Sequence, residues 1–105
     1  MTHGEILRWL RQRLGARLGV PPATLALTRE LSTYGLDSLE AVNFTGEIER
    51  LLGRCVDPTA AWEHPTLWDL SVHLAELTGA EIELPEAEEE LDAVLAAMSG
   101  GAGRP

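Results

Sequence analysis

With 105 residues, the chain is long enough for one small domain and too short for an enzyme with a deep, enclosed cleft. Hydrophobic residues make up 45% of it and few of them are aromatic, which favours a bundle of Leu-, Ala- and Val-rich helices. The net charge of −9 argues against nucleic acid as a partner, because contacts with phosphates require clustered positive charge. Residues 81–105 hold seven acidic residues and one arginine, so much of the excess charge belongs to the C-terminal segment.

The first predicted element is a helix over residues 3–18. Thr2 and Glu5 are spaced for a capping box, in which each side chain binds the other residue's backbone N–H. Gly19 and the prolines after it end the helix. The predicted core stripe consists of Leu7, Leu10, Leu14 and Leu18. The basic residues on the other side are interpreted as a solvated face, and they are Arg8, Arg11, Arg13 and Arg17.

Residues 19–36 form a long connection that is too apolar for a free linker and too irregular for a helix or strand. We expect this connection to be pinned onto the core by its apolar side chains, which are Leu25, Leu27, Leu31, Tyr34 and Leu36.

A second helix is predicted to start with Asp37 as its N-cap, with Glu40 completing a capping-box pattern, and to run to Leu52. Its predicted core stripe is Ala41, Phe44, Ile48, Leu51 and Leu52. A different face carries Leu39, Val42 and Gly46, flanked by Glu40, Glu47 and Glu49. An apolar strip bordered by carboxylates is interpreted as a partner contact.

Two further helices complete the predicted bundle. Residues 58–62 can form only a short helical turn, because Pro65 pushes the residue before it out of the helical region. Thr66 then caps a fourth helix, which Gly79 terminates. The predicted fold of residues 1–80 is therefore all-α, a four-helix bundle whose third helix is short.

The C-terminal segment, residues 81–105, is predicted to carry a separate acidic, amphipathic helix at 86–98. Its apolar face consists of Leu91, Val94, Leu95 and Met98. So short a helix needs a surface to pack on, which could be a partner protein, a second copy of the chain or the bundle itself. Docking to a partner is the preferred hypothesis. The glycine-rich residues 99–105 are predicted to be disordered.

Ser38 is the candidate functional residue, because it lies where the long connection turns into the second helix. Backbone N–H groups and the positive end of the helix dipole suit a phosphodiester attached to such a hydroxyl. The alternative is that Asp37, Ser38 and Glu40 form nothing more than a well-capped helix start. A serine hydrolase is excluded, because the residues around Ser38 lack the G-x-S-x-G pattern.

The segment Gly35-Leu36-Asp37-Ser38-Leu39 resembles the G-x-D-S-L signature of acyl carrier proteins. Over residues 5–78 the chain resembles acyl carrier domains of the polyketide synthase type. The wider match includes Leu31, Tyr34, Pro58-Thr59, Trp62-Glu63-His64-Pro65-Thr66, Leu70 and His73-Leu74. The last of these match the family's (F/W/Y)-(D/E)-x-P-T and later H-L motifs.

The resemblance implies a non-catalytic carrier with 4'-phosphopantetheine attached covalently to Ser38, transferred from coenzyme A by a phosphopantetheinyl transferase with magnesium. Asp37 would help to position that transfer in addition to capping the helix. The expected enzyme-facing residues are Leu39, Val42 and Gly46, with Glu40 and Glu47 meeting basic residues of the partner. Gly46 departs from the larger apolar residue often found there. The implied partners are the transferase, an acyl-loading enzyme (an acyl-AMP ligase or an acyltransferase), and a ketosynthase or other synthase components.

The cargo and the role stay open at the sequence level. The stretch from Thr45 to Arg54 looks like carrier domains loaded by fatty acyl-AMP ligases. Peptidyl carriers usually have G-G-x-S at the site, which favours acyl cargo here, although a peptidyl or aminoacyl carrier of a nonribosomal peptide synthetase remains an alternative. A second alternative is an unmodified helical adaptor, in which Ser38 is a cap and Leu39 and Val42 bind a partner protein.

The remaining features predict a cytoplasmic protein without membrane insertion. The chain has neither a signal segment nor a long apolar run, and its one cysteine excludes an internal disulfide. Cys55 is interpreted as a small buried apolar residue, and the three histidines do not pair with it at a metal-ligand spacing. The tryptophans are interpreted as core or half-buried residues, and they are Trp9, Trp62 and Trp68. We expect a monomer whose tail mediates docking or, alternatively, dimerisation.

Overall fold

The computed structural model describes the backbone of residues 1–102 and the side chains of residues 1–99. Residues 1–102 contain helices and no strand, apart from one isolated bridge between Glu30 and Thr66. The helices are α1 (His3–Leu18), α2 (Ser38–Leu52), α3 (Ala60–Glu63), α4 (Leu67–Thr78) and α5 (Glu88–Ala102). The all-α prediction, with a short third helix and a helix in the acidic tail, is confirmed.

The helix α1 supplies the centre of the core. Its predicted capping box forms, since Thr2 Oγ1 accepts the N–H of Glu5 and the N–H of Thr2 donates to Glu5 Oε1 at 2.8 Å. The buried stripe consists of His3, Ile6, Leu10 and Leu14, all with 0% exposure, whereas the predicted Leu7 and Leu18 are only partly buried. The stripe is centred closer to the N-terminus than the leucines alone indicate, because Ile6 and His3 extend it.

The long connection between α1 and α2 is pinned to the core, as predicted. It contains two 3-10 turns, Pro22–Thr24 and Leu31–Tyr34. Backbone hydrogen bonds tie it to the start of α4, with the N–H of Trp68 donating to the oxygen of Leu27 at 2.9 Å. Four of its side chains are buried in the core, namely Leu25, Leu27, Leu31 and Leu36. The connection therefore holds a fixed position in front of α2.

One prediction about the region after α2 is wrong. Cys55 is exposed, because α2 ends at Gly53 in a left-handed conformation and the neighbouring Val56 takes the buried position instead. Trp62, predicted to be a core or half-buried residue, is 49% exposed and does not belong to the core. The fourth helix is capped by Thr66 and ends at Gly79, as predicted.

The tail folds back onto the bundle, which is one of the three arrangements considered above. Val94 is fully buried and belongs to the core, and Leu91 is half-buried, whereas Leu95 and Met98 are 43% and 54% exposed. An ion pair between Arg11 and Glu90 also joins the tail to α1. This pairing corrects the interpretation of Arg11 as part of a solvated face.

The helix α5 begins two residues later and ends four residues later than the predicted 86–98. The predicted disorder is therefore wrong for residues 99–102, because glycine lowers helix propensity without ending a helix as proline does. Residues 103–105, for which disorder was also predicted, lie outside the described residues. Along the described part of the chain, no helix combines the length and apolar character needed to cross a bilayer.

A buried histidine fixes the start of the tail. His3 Nδ1 accepts the backbone N–H of Glu83 at 2.9 Å, which leaves the ring proton on Nε2, 2.9 Å from Ser71 Oγ. Ser71 Oγ in turn donates to the carbonyl of Trp68. Burial lowers the pKa of His3, and this effect outweighs the opposing effect of Glu83. No local sequence pattern indicates this contact, because its two ends are 80 residues apart.

Candidate functional site

Ser38 is the first residue of α2 and its side chain is exposed. The preceding residue, Asp37, has an extended backbone and is the N-cap, with its Oδ1 accepting the N–H of Glu40 at 2.8 Å. The capping function thus belongs to the Asp37 carboxylate and does not require the Ser38 hydroxyl. Asp37 is therefore the helix cap, as predicted, and the Ser38 hydroxyl is free to carry a substituent.

The loop before Ser38 presents the hydroxyl at the surface. Gly35 adopts a left-handed conformation with φ of 86°, which ends the 3-10 turn, and its N–H donates to Ser32 O at 3.1 Å. Leu36 then enters the core with 6% exposure. Because this buried anchor lies two residues before the serine, Ser38 is held at a fixed place although its side chain points to solvent.

The start of α2 is suited to hold an anion on Ser38. The first N–H groups of any helix lack partners within the helix, and the helix dipole is positive at this end. The Ser38 side chain is exposed, so a substituent on its oxygen would extend into solvent. A phosphodiester on Ser38 Oγ would therefore lie at the surface beside the start of the helix.

The predicted recognition face lies on the outer surface of α2. Leu39 is 68% exposed and Val42 is 45% exposed, so both stand out from the core as expected. One turn further along, a Cβ added at Gly46 would have nothing within 4 Å, so the surface is open above this glycine. The recognition face is defined here as Leu39, Val42 and Gly46.

The two acids beside the recognition face are occupied by arginines of α1. Arg17 Nη1 donates to Glu40 Oε2 at 2.7 Å, and Arg17 Nε donates to Glu47 Oε2 at 2.7 Å. Arg13 also pairs with Glu47. The second half of the predicted capping box is therefore absent, because the Glu40 carboxylate binds a guanidinium instead of the backbone of Asp37.

Burial alone would raise the pKa of Glu47, but hydrogen bonds and charges from Arg17 and Arg13 lower it instead. The interpretation as a solvated face is therefore wrong for Arg17, whose side chain is 21% exposed, whereas Arg13 is exposed as predicted although it pairs with Glu47. The sequence carried a usable signal: Arg13 and Arg17 are four residues apart on one helix, and Glu40 and Glu47 are seven apart on another, so each pair shares one helix face.

A small cavity lies next to the start of α2. Its volume is about 240 Å³, and its apolar walls come from the long connection, α2 and the α3 region, namely Leu31, Leu36, Ala41, Ala61, Trp62 and Pro65. The walls are ordinary core or partly exposed side chains, as expected for any space between the helices of this bundle.

The sequence matches the family described as "Phosphopantetheine attachment site" over residues 8–74, well over half of the chain. The chain belongs to this family. Members carry a covalently attached phosphopantetheine arm, and the helical fold, the exposed serine and the helix start at Ser38 all fit such a group.

Among curated proteins, the chain is 37% identical over 71 residues to a phenolphthiocerol/phthiocerol polyketide synthase of Mycobacterium tuberculosis. It is 31% identical over 72 residues to the polyketide synthase PksN of Bacillus subtilis. These matches cover 68% and 69% of this chain but only 4% and 1% of the two relatives. The chain is thus a carrier domain homologous to those of polyketide synthases, and it spans a few per cent of these much longer proteins.

Two solved structures share the fold and part of the sequence. A free-standing peptidyl carrier protein from an Acinetobacter baumannii secondary metabolic pathway has a TM-score of 0.69 and 26% identity, covering 73% of this chain and 96% of that one. The HMG-ACPI domain of the CurA module from Lyngbya majuscula has a TM-score of 0.66 and 28% identity, covering 72% and 77%. Both the recognised family and the carrier-protein fold predicted from the sequence are confirmed.

Proposed function

We propose that Ser38 is the residue to which a phosphopantetheinyl transferase attaches 4'-phosphopantetheine from coenzyme A. The observation that carries this assignment is the division of roles at the start of α2. Asp37 caps the helix through its carboxylate, so the exposed hydroxyl of Ser38 has no structural task there. The family match supports the assignment, because it spans this serine.

We propose that the chain catalyses no reaction itself. Its residues hold the Ser38 oxygen in place and orient it towards the transferase. The arm supplies a terminal thiol that carries an acyl group as a thioester. Leu36 fixes the loop and the helix start positions the Ser38 oxygen, which attacks the phosphorus bonded to the pantetheine arm of coenzyme A. The new O–P bond replaces the pyrophosphate bond of coenzyme A, adenosine 3',5'-bisphosphate leaves, and the hydroxyl proton passes to the transferase or to water. Asp37 uses Oδ1 in the cap, and we assign its second carboxylate oxygen to the magnesium of the transferase reaction.

The test is the intact mass of the protein after incubation with coenzyme A, magnesium and a broad-specificity transferase. The parent should gain one phosphopantetheine, and Ser38→Ala should gain none. Ser32→Ala is the matched control, because Ser32 is an exposed serine in the neighbouring 3-10 turn and should not affect the gain. A gain in Ser38→Ala would mean that another hydroxyl is the attachment point.

The unmodified adaptor is the second candidate, and the exposed Leu39 and Val42 favour it as much as they favour a carrier. Its explanation of Ser38 is weaker, because the side-chain cap of α2 is Asp37. A folded parent protein that gains no mass in the transferase assay would support the adaptor.

We further propose that the holo form receives acyl or polyketide groups from an acyl-AMP ligase or an acyltransferase and presents them to a ketosynthase or another synthase component. The homology to polyketide synthase domains supports acyl cargo, whereas the likeness to a peptidyl carrier keeps the aminoacyl alternative open. Loading assays with ligases and adenylating enzymes on the holo protein distinguish the two. The cytoplasmic location stays a prediction.

We propose the division of the chain into a carrier domain, residues 1–80, and a tail, residues 81–105, that docks a partner. Docking would use the outer edge of α5, where Leu95 and Met98 are exposed, while the inner edge packs on the bundle through Val94. Replacing Leu95 and Met98 by serine should weaken acyl transfer to one specific partner and leave modification of Ser38 unchanged.

A further inference from the structure

The starting observation is that Arg17 of α1 joins Glu40 and Glu47, two of the three acids that flank the recognition face of α2. Its guanidinium donates to Glu40 Oε2 and to Glu47 Oε2, each at 2.7 Å. Arg13 gives Glu47 a second cationic partner. Each carboxylate therefore has a cation from the same chain within hydrogen-bond distance, before any partner arrives.

Burial makes this pairing persistent for Glu47. The Glu47 side chain is 12% exposed and the Arg17 side chain is 21% exposed, so both charges are largely removed from water. A partner's lysine or arginine could reach the Glu47 carboxylate only by displacing a guanidinium that is already held in place. Breaking such a pair would leave an uncompensated, partly buried charge, which is unfavourable.

The charges around the open space above Gly46 also fail to give an acidic surface. The charged residues that line this groove are Arg13, Arg17, Glu47, Glu49 and Arg50. Three cations therefore face two anions, and Glu40 brings the total to neutrality through its pair with Arg17. What stays exposed on the recognition face is apolar, namely Leu39 and Val42.

We infer that the recognition face fits a partner surface that is apolar where it meets Leu39 and Val42 and carries no basic patch. The inference rests on the proposed function, since the partner meant is an enzyme that acts on the carrier. Opposite charges accelerate encounters between proteins, and this neutral face forgoes that acceleration. Partners are therefore selected by apolar contacts with Leu39 and Val42 and not by opposite charge.

The test is the rate of Ser38 modification by a broad-specificity transferase at increasing salt. The parent rate should change by less than about twofold between about 0.02 M and 0.5 M salt, because the charges around the recognition face sum to zero and the excess acid of the chain lies mostly in residues 81–105. Arg17→Gln frees Glu40 and removes one of the two cationic partners of Glu47. With a transferase chosen for a basic docking surface, it should make modification about threefold to tenfold faster at low salt, with the gain lost at high salt. Leu39→Ser and Val42→Ser should slow it at every salt concentration.

Arg8→Gln is the matched control, because it removes one exposed arginine from the same helix away from the recognition face. A parent rate that falls steeply with salt, or an Arg17→Gln protein whose salt dependence equals that of Arg8→Gln, would overturn the inference. If Arg17→Gln does not fold, Arg13→Gln replaces it, since the Arg13 side chain is 52% exposed.

A second measurement separates this inference from the proposed function. In an NMR titration of the side-chain carboxyls, Glu47 should titrate below the ordinary range in the parent and return towards it in Arg17→Gln. No mass gain in the parent would overturn the proposed function, and the titration would still decide whether the face is neutralised. Ordinary titration of Glu47 in the parent would overturn the neutralisation.

Discussion

Two helices of this protein carry apolar side chains bordered by glutamates. These side chains are exposed on α2 and partly buried on α5. On α2, Leu39 and Val42 are 68% and 45% exposed, whereas on α5 Val94 is completely buried. The difference comes from the number of apolar faces on each helix. The helix α2 has a second face that packs through Phe44 and Ile48, which leaves the outer face free.

The helix α5 has a single stripe, so its packing on the bundle uses that stripe and leaves only the edge, Leu95 and Met98, exposed. An apolar strip therefore indicates a partner contact when its helix already packs through another face. When a helix has only one apolar stripe, as α5 does, that stripe packs on the bundle and its buried side chains are not free to bind a partner.

Deleting residues 81–105 should have the greatest effect on stability. The deletion removes Val94 from the core and the hydrogen bonds between the tail and α1, so the free energy of unfolding should fall by about 2–4 kcal/mol and Tm by roughly 10–20 °C. Calorimetry measures both, with a protein lacking only residues 103–105 as the control. An unchanged Tm would show that the tail does not pack on the bundle in solution.

A matched pair of valines separates the buried stripe of α5 from the exposed face of α2. Val94→Ala should lower the free energy of unfolding by about 2 kcal/mol, because it opens space in the core, whereas Val42→Ala should change it by less than about 0.5 kcal/mol. The opposite order holds for function: Val42→Ala should slow Ser38 modification and Val94→Ala should not. Urea unfolding and the mass assay provide the two readouts, and equal destabilisation by the two substitutions would contradict the assignment of faces.

The buried histidine makes the tail contact sensitive to acid. The pKa of His3 lies below its ordinary value of 6.5 in the folded protein, so the unfolded chain binds a proton first as the pH falls. The contribution of His3 to stability is therefore complete above pH 6.5 and is lost progressively as the pH drops towards the lower, folded value.

His3→Gln should flatten this dependence between about pH 7 and pH 5 in chemical unfolding experiments. The pKa of His73 is also lowered, chiefly by burial and then by His64, so His73→Gln is the control that removes the second contribution. An unchanged slope in His3→Gln would mean that the contact between His3 and the backbone of Glu83 does not govern the acid response.

The smallest effect concerns two glycines of α2. Gly46→Ala should raise the free energy of unfolding by about 0.5–1 kcal/mol, because alanine favours the helix and its Cβ meets nothing within 4 Å. Gly53→Ala should lower it by about 1 kcal/mol, because Gly53 ends the helix with φ of 66°. Thermal unfolding of both variants provides the check, and a destabilised Gly46→Ala would show that the space above Gly46 is closed.

Features that depend on a few neighbouring residues could be predicted from the sequence. The Thr2 and Asp37 caps, the ends of α1 and α4 and the exposed strip on α2 all depend on spacing within one helix. The pairing of Arg17 with Glu40 could not be predicted in the same way, because the two residues are 23 positions apart and meet only when α1 and α2 pack together.

The position of His3 is another long-range feature. Its burial requires the tail to return to the start of α1, and the local pattern around Thr2 and Glu5 indicates only a helix cap. Ser38 belongs to the local features: its position at the helix start and the cap supplied by Asp37 both follow from neighbouring residues, and the structure adds that the Ser38 side chain is exposed.

The carrier assignment is tested most directly by peptide mapping of the transferase-treated protein. Cleavage after arginines releases residues 30–50, a peptide that contains both Ser32 and Ser38, so fragmentation within it decides between them. We expect the phosphopantetheine mass on fragments that include Ser38, and none on Ser32. The modification on any other residue, or an unmodified peptide from a folded and transferase-treated sample, would contradict the assignment.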